Sequence, residues 1–214
     1  MVRNLHYEIL DKKRESILPK LIFLKNRFYL GGGTALALQI GHRTSIDFDY
    51  FTNKQFDNAG IFREFESIFK NSRIEKTQDT ADTLSFIIDN EVKFSFFNIK
   101  DKPVLPLINS EYFNLLSELD ISAMKIIALP RAAYRDYVDL YYILKKHDLK
   151  DAINLARKKY RNFDEGFYLK CLLSYDDVEV SPINFKPGFK KNKKDIFSCV
   201  EKQTKLYLKR QLNA

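Results

Sequence analysis

The chain has 214 residues, 45% of them hydrophobic and 30% charged, the profile of a soluble globular protein with one large domain or two small ones. No run approaches the roughly 18 apolar residues of a membrane helix, and the N-terminal MVRNLHYEILDKKRES lacks the apolar stretch of a secretion signal, so a cytoplasmic protein is expected. The net charge of +8 is uneven: residues 101–214 carry +6 and residues 1–100 carry +2, a bias that suits a polyanionic partner such as RNA and equally a solvated lysine-rich surface. Cys171 and Cys199 lie far apart among aliphatic residues and read as reduced, buried thiols.

In chain order, the pattern predicts a helix over residues 4–25 and a short strand, RFYL, running into Gly31. A helix over TALALQI (34–40) follows, ended by Gly41. SIDFDYF (45–51) alternates as a strand, with Ile46, Phe48 and Tyr50 on one face and Asp47, Asp49 and Phe51 on the other. A helix begins near Asp57, with an apolar stripe of Ile61, Phe62, Phe65, Ile68 and Phe69. Strands follow near 73–77, 83–88 and 92–98, the last two joined as a hairpin around Asp89-Asn90-Glu91. Beyond Asp101 a Pro-containing connector, DKPVLPLINS, leads into helices. The first is ISAMKIIAL, with Asp120 as N-cap and Pro130 past its end. YRDYVDLYYILKKH is the second, with a stripe of Tyr137, Leu140, Tyr141 and Leu144, and three more lie near 151–161, 164–174 and 193–210. The expectation is an α+β domain over residues 1–100 and a helical domain over 101–214.

The stretch GGGTALALQIGHRTSIDFDYF (31–51) holds the parts of a phosphate and metal site. Glycine backbone lets a ligand approach closely, and the following helix aims its free N–H groups and dipole at an anion. Asp47 and Asp49 project from one strand face about 7 Å apart. That spacing can share a pair of Mg2+ ions roughly 3.5–4 Å apart, which activate an attacking hydroxyl and clamp a leaving pyrophosphate. Taken singly, a glycine turn before a helix is common and Asp-x-Asp is often a solvated edge.

Together with LDISAMKIIALPRAAYRDYVDLYYIL (119–144), this stretch resembles the AbiEii/AbiGii toxin family, a branch of the polymerase-β-like nucleotidyltransferases. The resemblance implies a mixed-sheet nucleotidyltransferase domain with flanking helices followed by a helical domain. It implies transfer of a nucleoside monophosphate from an NTP, with Mg2+ or Mn2+, to an RNA acceptor, notably the tRNA 3′ end, and an antitoxin partner. By position, Gly32, Gly33, Thr34 and Ser45 match the nucleotide-binding turn and loop, and Asp47 and Asp49 the metal ligands. Lys125 matches the lysine near the nucleotide, while Arg135, Asp136 and Asp139 match the last motif, the two aspartates as base or metal support.

Three of these positions carry a second reading from the residues themselves. Lys125 shares a helix stripe with Ile121 and Ala128, where it meets an anion or snorkels from the helix edge. Arg135 and Asp139, at i and i+4, suit a helix-stabilising ion pair. His42 and Arg43 suit a helix C-terminus as well as a nucleotide. One departure stands out. The family-like third carboxylate is expected on VKFSFF, whose outward positions are Lys93, Ser95 and Phe97, with no acid among them. RKKYR (157–161) and KPGFKKNKK (186–194) set cations beside aromatics, as RNA contacts require. The readings competing with an RNA-modifying transferase are a transferase acting on a protein hydroxyl and a non-catalytic nucleotide- or partner-binding module.

Overall fold

The helix predicted over residues 4–25 is interrupted at Leu10, whose backbone is extended, and changes from α to 3-10 at Leu18-Pro19, where the proline cannot donate the next helical hydrogen bond. The computed structural model describes residues 5–212, so residue 4 of that prediction lies outside it. A 3-10 turn at Tyr7–Ile9 is followed by α1 (Lys12–Ile17) and a 3-10 stretch at Leu18–Leu24 that holds the proline in its first turn. The Asp11 side chain caps α1 by accepting from Arg14 N at 2.8 Å.

Next come β1 (Tyr29–Leu30), α2 (Gly32–Ile40), β2 (Asp47–Thr52), α3 (Asn58–Ile68), β3 (Ile74–Thr80), β4 (Thr83–Ile88) and β5 (Val92–Asn98), the expected order. Asp89 and Asn90 both take positive φ, 52° and 58°, in the three-residue loop between paired Ile88 and Val92, where Glu91 N–H donates to the Ile88 carbonyl at 3.0 Å. Ile46 departs from its predicted face: it precedes β2 and is exposed, whereas Phe48 and Tyr50 are fully buried.

The sheet is larger than the pattern suggested. β6 (Ile108–Asn109) and β7 (Asn114–Leu115) arise within and just after the predicted connector and extend it to seven strands, in the order β3-β4-β5-β2-β1-β7-β6. β2 pairs in parallel with β5 and β1 with β7, while the other neighbours are antiparallel, so the sheet is mixed. The chain accordingly divides into two compact units, residues up to Lys102 with Pro106–Leu116, and Pro103–Leu105 with Ser117 onward. The boundary expected after residue 100 therefore shifts, since two-residue strands leave no alternation to read.

In the first unit one sheet face is aromatic. Phe48 stacks on Phe94 and Tyr50 on Phe96, at 5.1 and 5.4 Å between ring centres. Phe65 of α3 lies edge-on to Phe86 at 4.7 Å and tilted to Phe94 at 5.0 Å. Phe48, Tyr50, Phe65, Phe86, Phe94 and Phe96 are all fully buried on this face, and the carboxylates of β2 stand on the other.

The second unit is helical: α4 (Glu118–Ala128), a 3-10 turn at Leu129–Arg131, α5 (Tyr134–Leu144), α6 (Leu149–Lys159), α7 (Glu165–Leu173) and α8 (Lys193–Leu212). Ser117, not Asp120, caps α4 by accepting from Asp120 N at 3.0 Å. Asp120 is instead fully buried. Its carboxylate accepts from the Val104 and Leu105 N–H groups at 3.0 Å each and meets Lys159 Nζ at 3.2 Å. Every residue of α5 except Arg135 is buried, so this helix is the unit's centre rather than a surface helix with one apolar stripe. Cys171 and Cys199 are free and half-buried rather than buried, and burial raises the pKa of both thiols. Among the described residues no helix is long and apolar enough to cross a membrane.

Candidate active site

Strand alternation puts Asp47 and Asp49 on the β2 face opposite buried Phe48 and Tyr50, and both aspartates stay half-exposed. The glycine turn is tied to the backbone of both. Gly31 N–H donates to the Asp49 carbonyl at 2.9 Å, continuing the β1–β2 ladder, and Thr34 Oγ1 donates to the Asp47 carbonyl. Ser45 Oγ lies 2.8 Å from Thr34 Oγ1, so the loop before β2 is held to the same helix start.

Two of the glycines are required by contact. Gly32 has φ 65°, and a Cβ there would lie 2.7 Å from Asp49 Oδ2. A Cβ at Gly33 would lie 2.5 Å from Arg43 Nη2. A carboxylate and a guanidinium thus rest directly on the turn's backbone. Gly31, at the N-cap position, offers no side-chain cap to the first N–H groups of α2, which is how a helix start accepts an external anion.

The predicted residues divide as follows. Gly32, Gly33, Thr34, Arg43, Ser45, Asp47 and Asp49 converge at the start of α2. Arg43 is 5% exposed, and its Nη1 donates to the Thr44 carbonyl at 3.1 Å. His42 is fully buried. In the second unit Lys125, Asp136 and Asp139 also come together, but on each other. Lys125 Nζ lies 2.7 Å from Asp136 Oδ1 and 2.6 Å from Asp139 Oδ2, and both carboxylates are fully buried. Arg131 forks onto Asp136 through Nε and Nη2 at 2.7 and 2.8 Å. Arg135 is exposed.

The AbiEii family, described as nucleotidyl transferase toxins of type IV toxin–antitoxin systems, matches residues 17–206. The chain belongs to this family. A protein of Aquifex aeolicus (strain VF5), the uncharacterised aq_aa25, is 37% identical over 182 residues, 79% of this chain and 84% of that one. The solved structure of JHP933 from Helicobacter pylori aligns with a TM-score of 0.59 at 18% identity, covering 95% of this chain and 97% of that chain. MenT4, a nucleotidyltransferase toxin of Mycobacterium tuberculosis H37Rv, aligns at 0.55 and 16% identity over 89% of this chain and 82% of that chain. At these identities the two structures show a shared fold. As an AbiEii member the chain is a nucleotidyltransferase, with an NTP as substrate and an antitoxin as the partner its family implies.

Within this AbiEii chain the β5 neighbours of the aspartates are now placed. Asp49 pairs in register with Ser95 and Asp47 with Lys93, and Ser95 in turn with Ser85. The in-register neighbour of Asp49 on β5 is thus a serine and not an acid, and at 3% exposure it is buried rather than outward-facing. Among the described residues no group of three or more His, Cys, Asp or Glu converges as a metal site. The pair still fits Mg2+ or Mn2+: both donors are hard carboxylate oxygens, and such ions keep waters and take substrate phosphates as further ligands.

Two supporting residues escaped the sequence reading. Arg14 is buried, donates from Nε to the Ile46 carbonyl at 2.7 Å and from Nη2 to the Glu91 carbonyl, and so fixes the backbone just before Asp47. Nothing in DKKRES distinguishes it from its charged neighbours. Arg131 had one available signal, its five-residue spacing from Asp136 across the turn before α5.

Proposed function

We propose that this AbiEii chain transfers a nucleoside monophosphate from an NTP to the 3′ hydroxyl of an RNA, with tRNA as the acceptor class, and acts as a toxin by that modification. The observation that carries the reading is the Asp49 carboxylate seated on the Gly32 backbone at the uncapped start of α2. An anion-binding turn and a cation-binding carboxylate pair thereby occupy one place on two paired strands. The triphosphate lies over Gly32–Thr34 and accepts from the first N–H groups of α2, with the Arg43 guanidinium behind Gly33 adding positive charge.

Asp47 and Asp49 would hold Mg2+ or Mn2+, which when bound neutralises phosphate charge and activates the acceptor hydroxyl. The acceptor oxygen bonds to the α-phosphorus as the bond to the β-phosphate breaks, releasing pyrophosphate. With serine at position 95, the hydroxyl proton passes to the Asp47–Asp49 pair. Lys125 is already engaged within the second unit by two buried carboxylates. We therefore assign Lys125, Asp136 and Asp139 a positioning role, holding α4 to α5.

The test incubates the chain with each α-labelled NTP, Mg2+ or Mn2+, total tRNA and cell lysate, beside Asp49→Asn. The expected result is labelled RNA, lost on chelation and reduced about 100-fold or more by Asp49→Asn, since changes one shell further out already cost 10–100-fold. Label in protein would move the acceptor to a protein hydroxyl. No label under any condition would overturn the proposal in favour of a binding module.

A further inference from the structure

Because β1 and β2 run antiparallel, the start of β1 and the end of β2 lie together, at the opposite end of the pair from Asp47. The residues flanking those ends, 25–29 and 52–57, close with Leu107 and Asn114 around a pocket of about 560 Å³ within the first unit. That volume suits one small organic ligand. We propose that this pocket binds a phosphate-bearing nucleotide of the acceptor, one or more positions back from the reacting 3′ end, an inference that rests on the nucleotidyl-transfer reading above.

The pocket's cations carry the argument. Lys25 is half-buried; its Nζ donates to the Ser110 carbonyl at 2.6 Å and the Glu111 carbonyl at 3.4 Å, and among the described residues it makes no ion pair. A partly desolvated ammonium fixed by neutral carbonyls, in a concave site, is stabilised by an incoming anion. Lys54 is exposed on the facing segment, its ammonium without a partner among the described residues. Arg27 is held by Glu64 at 2.6 Å, and the lining's one carboxylate, Asp57, faces Arg63 at 3.6 Å. The balance at the pocket is therefore positive.

Its aromatic component is rigid, since Phe56 meets Phe28 edge-on at 5.3 Å and Phe28 meets Phe96 at 5.1 Å. Cations for phosphate, an aromatic face for stacking and exposed amides such as Asn53 for a base edge are the groups that single-stranded nucleic acid uses. From Asp49 to Thr52 the strand runs about 10 Å at 3.3 Å per residue, so a chain occupying this pocket stays within a few nucleotides of the carboxylates.

The same chemistry could come from a free nucleotide or from an RNA strand, and the test separates the two. Full-length protein is titrated with a labelled single-stranded RNA oligonucleotide and, separately, with a labelled NTP plus Mg2+. The proteins compared are wild type, Lys54→Glu, Lys25→Gln/Lys54→Glu and Asp49→Asn, each checked for an unchanged melting temperature. Lys54→Glu touches nothing else, so it remains informative even where Lys25→Gln disturbs the Ser110 loop. The expected result is RNA affinity lowered about 10-fold by the pocket variants, with the logarithmic salt dependence flatter by about 0.7 per lost phosphate contact, and NTP affinity unchanged.

Wild-type RNA affinity in both pocket variants overturns the inference, and so does a loss confined to the NTP, which would assign the pocket to a free nucleotide. Asp49→Asn should weaken NTP binding alone. If it does not while the pocket variants still lose RNA, the catalytic reading fails and the pocket stands.

Discussion

Lys125 shows how a single residue can be half legible. Its place on an apolar helix stripe leaves it to meet an anion or to snorkel from the helix edge, and the structure shows the first: the Asp136–Asp139 pair one turn apart on α5, at 2.7 and 2.6 Å. Two fully buried carboxylates so close repel each other, and the ammonium between them, with the Arg131 guanidinium on Asp136, offsets the cost of their burial. Lys125→Ala is expected to cost about 3–5 kcal/mol in urea unfolding, the penalty for stranding buried charge. Asp139→Asn in the same background should restore part of it. Unchanged stability with lost transferase activity would instead place Lys125 on the nucleotide. Asp47, Asp49 and the glycines were legible because alternation and close approach leave a pattern along the chain. Arg14 and Arg131 were not, because what distinguishes them is a partner 32 residues away in one case and the geometry of a turn in the other.

Among elements, length decided legibility. β4 and β5 are long enough to alternate, and their turn residues name the hairpin; β6 and β7 have two residues each and show no period. Those two strands nevertheless cover the edge of β1 that faces away from β2. Leu30 pairs with Leu115, and Leu116 N–H donates to the Leu30 carbonyl at 2.9 Å, so β7 completes the ladder of the strand that leads into the glycine turn. Leu115 is fully buried. Leu115→Ala is expected to destabilise the first unit by about 2–5 kcal/mol, the usual cost of a large buried truncation. Amide exchange at Leu30 and Gly31 should accelerate with it. Protection unchanged there would mean that β7 is only an ornament on the sheet.

Across the whole molecule, burial and ion pairing bound the pH range from both sides. On the acid side burial pushes Glu118 up, but Lys146 at 3.0 Å and His147 at 2.9 Å outweigh it and hold its carboxyl below the usual value. Asp148 is held low by the Lys150 N–H and by Arg210. A depressed carboxyl stabilises the fold above its ordinary pKa near 4, and that contribution drains away as pH falls through the folded value. On the alkaline side burial raises Tyr137 and Tyr142 of α5 from 10.0 to about 12, and raises Tyr50 in the first unit as well. A raised phenol does the reverse: its contribution is full below pH 10 and is lost as pH climbs toward 12, because the unfolded chain ionises first. Each α5 tyrosine is worth about 3 kcal/mol over that span, at 1.36 kcal/mol per pKa unit. The half-buried thiols are raised too, so by the same linkage their contribution begins to drain nearer pH 9, where the unfolded thiols ionise. Urea midpoints should therefore stay level from about pH 5 to about pH 9 and fall beyond either limit, most steeply above pH 10. Tyr137→Phe/Tyr142→Phe should lower the plateau, through the lost bonds to the Cys171 and Phe189 carbonyls, and flatten the alkaline limb. An alkaline limb as steep in the double variant as in the wild type would show that other groups drive it.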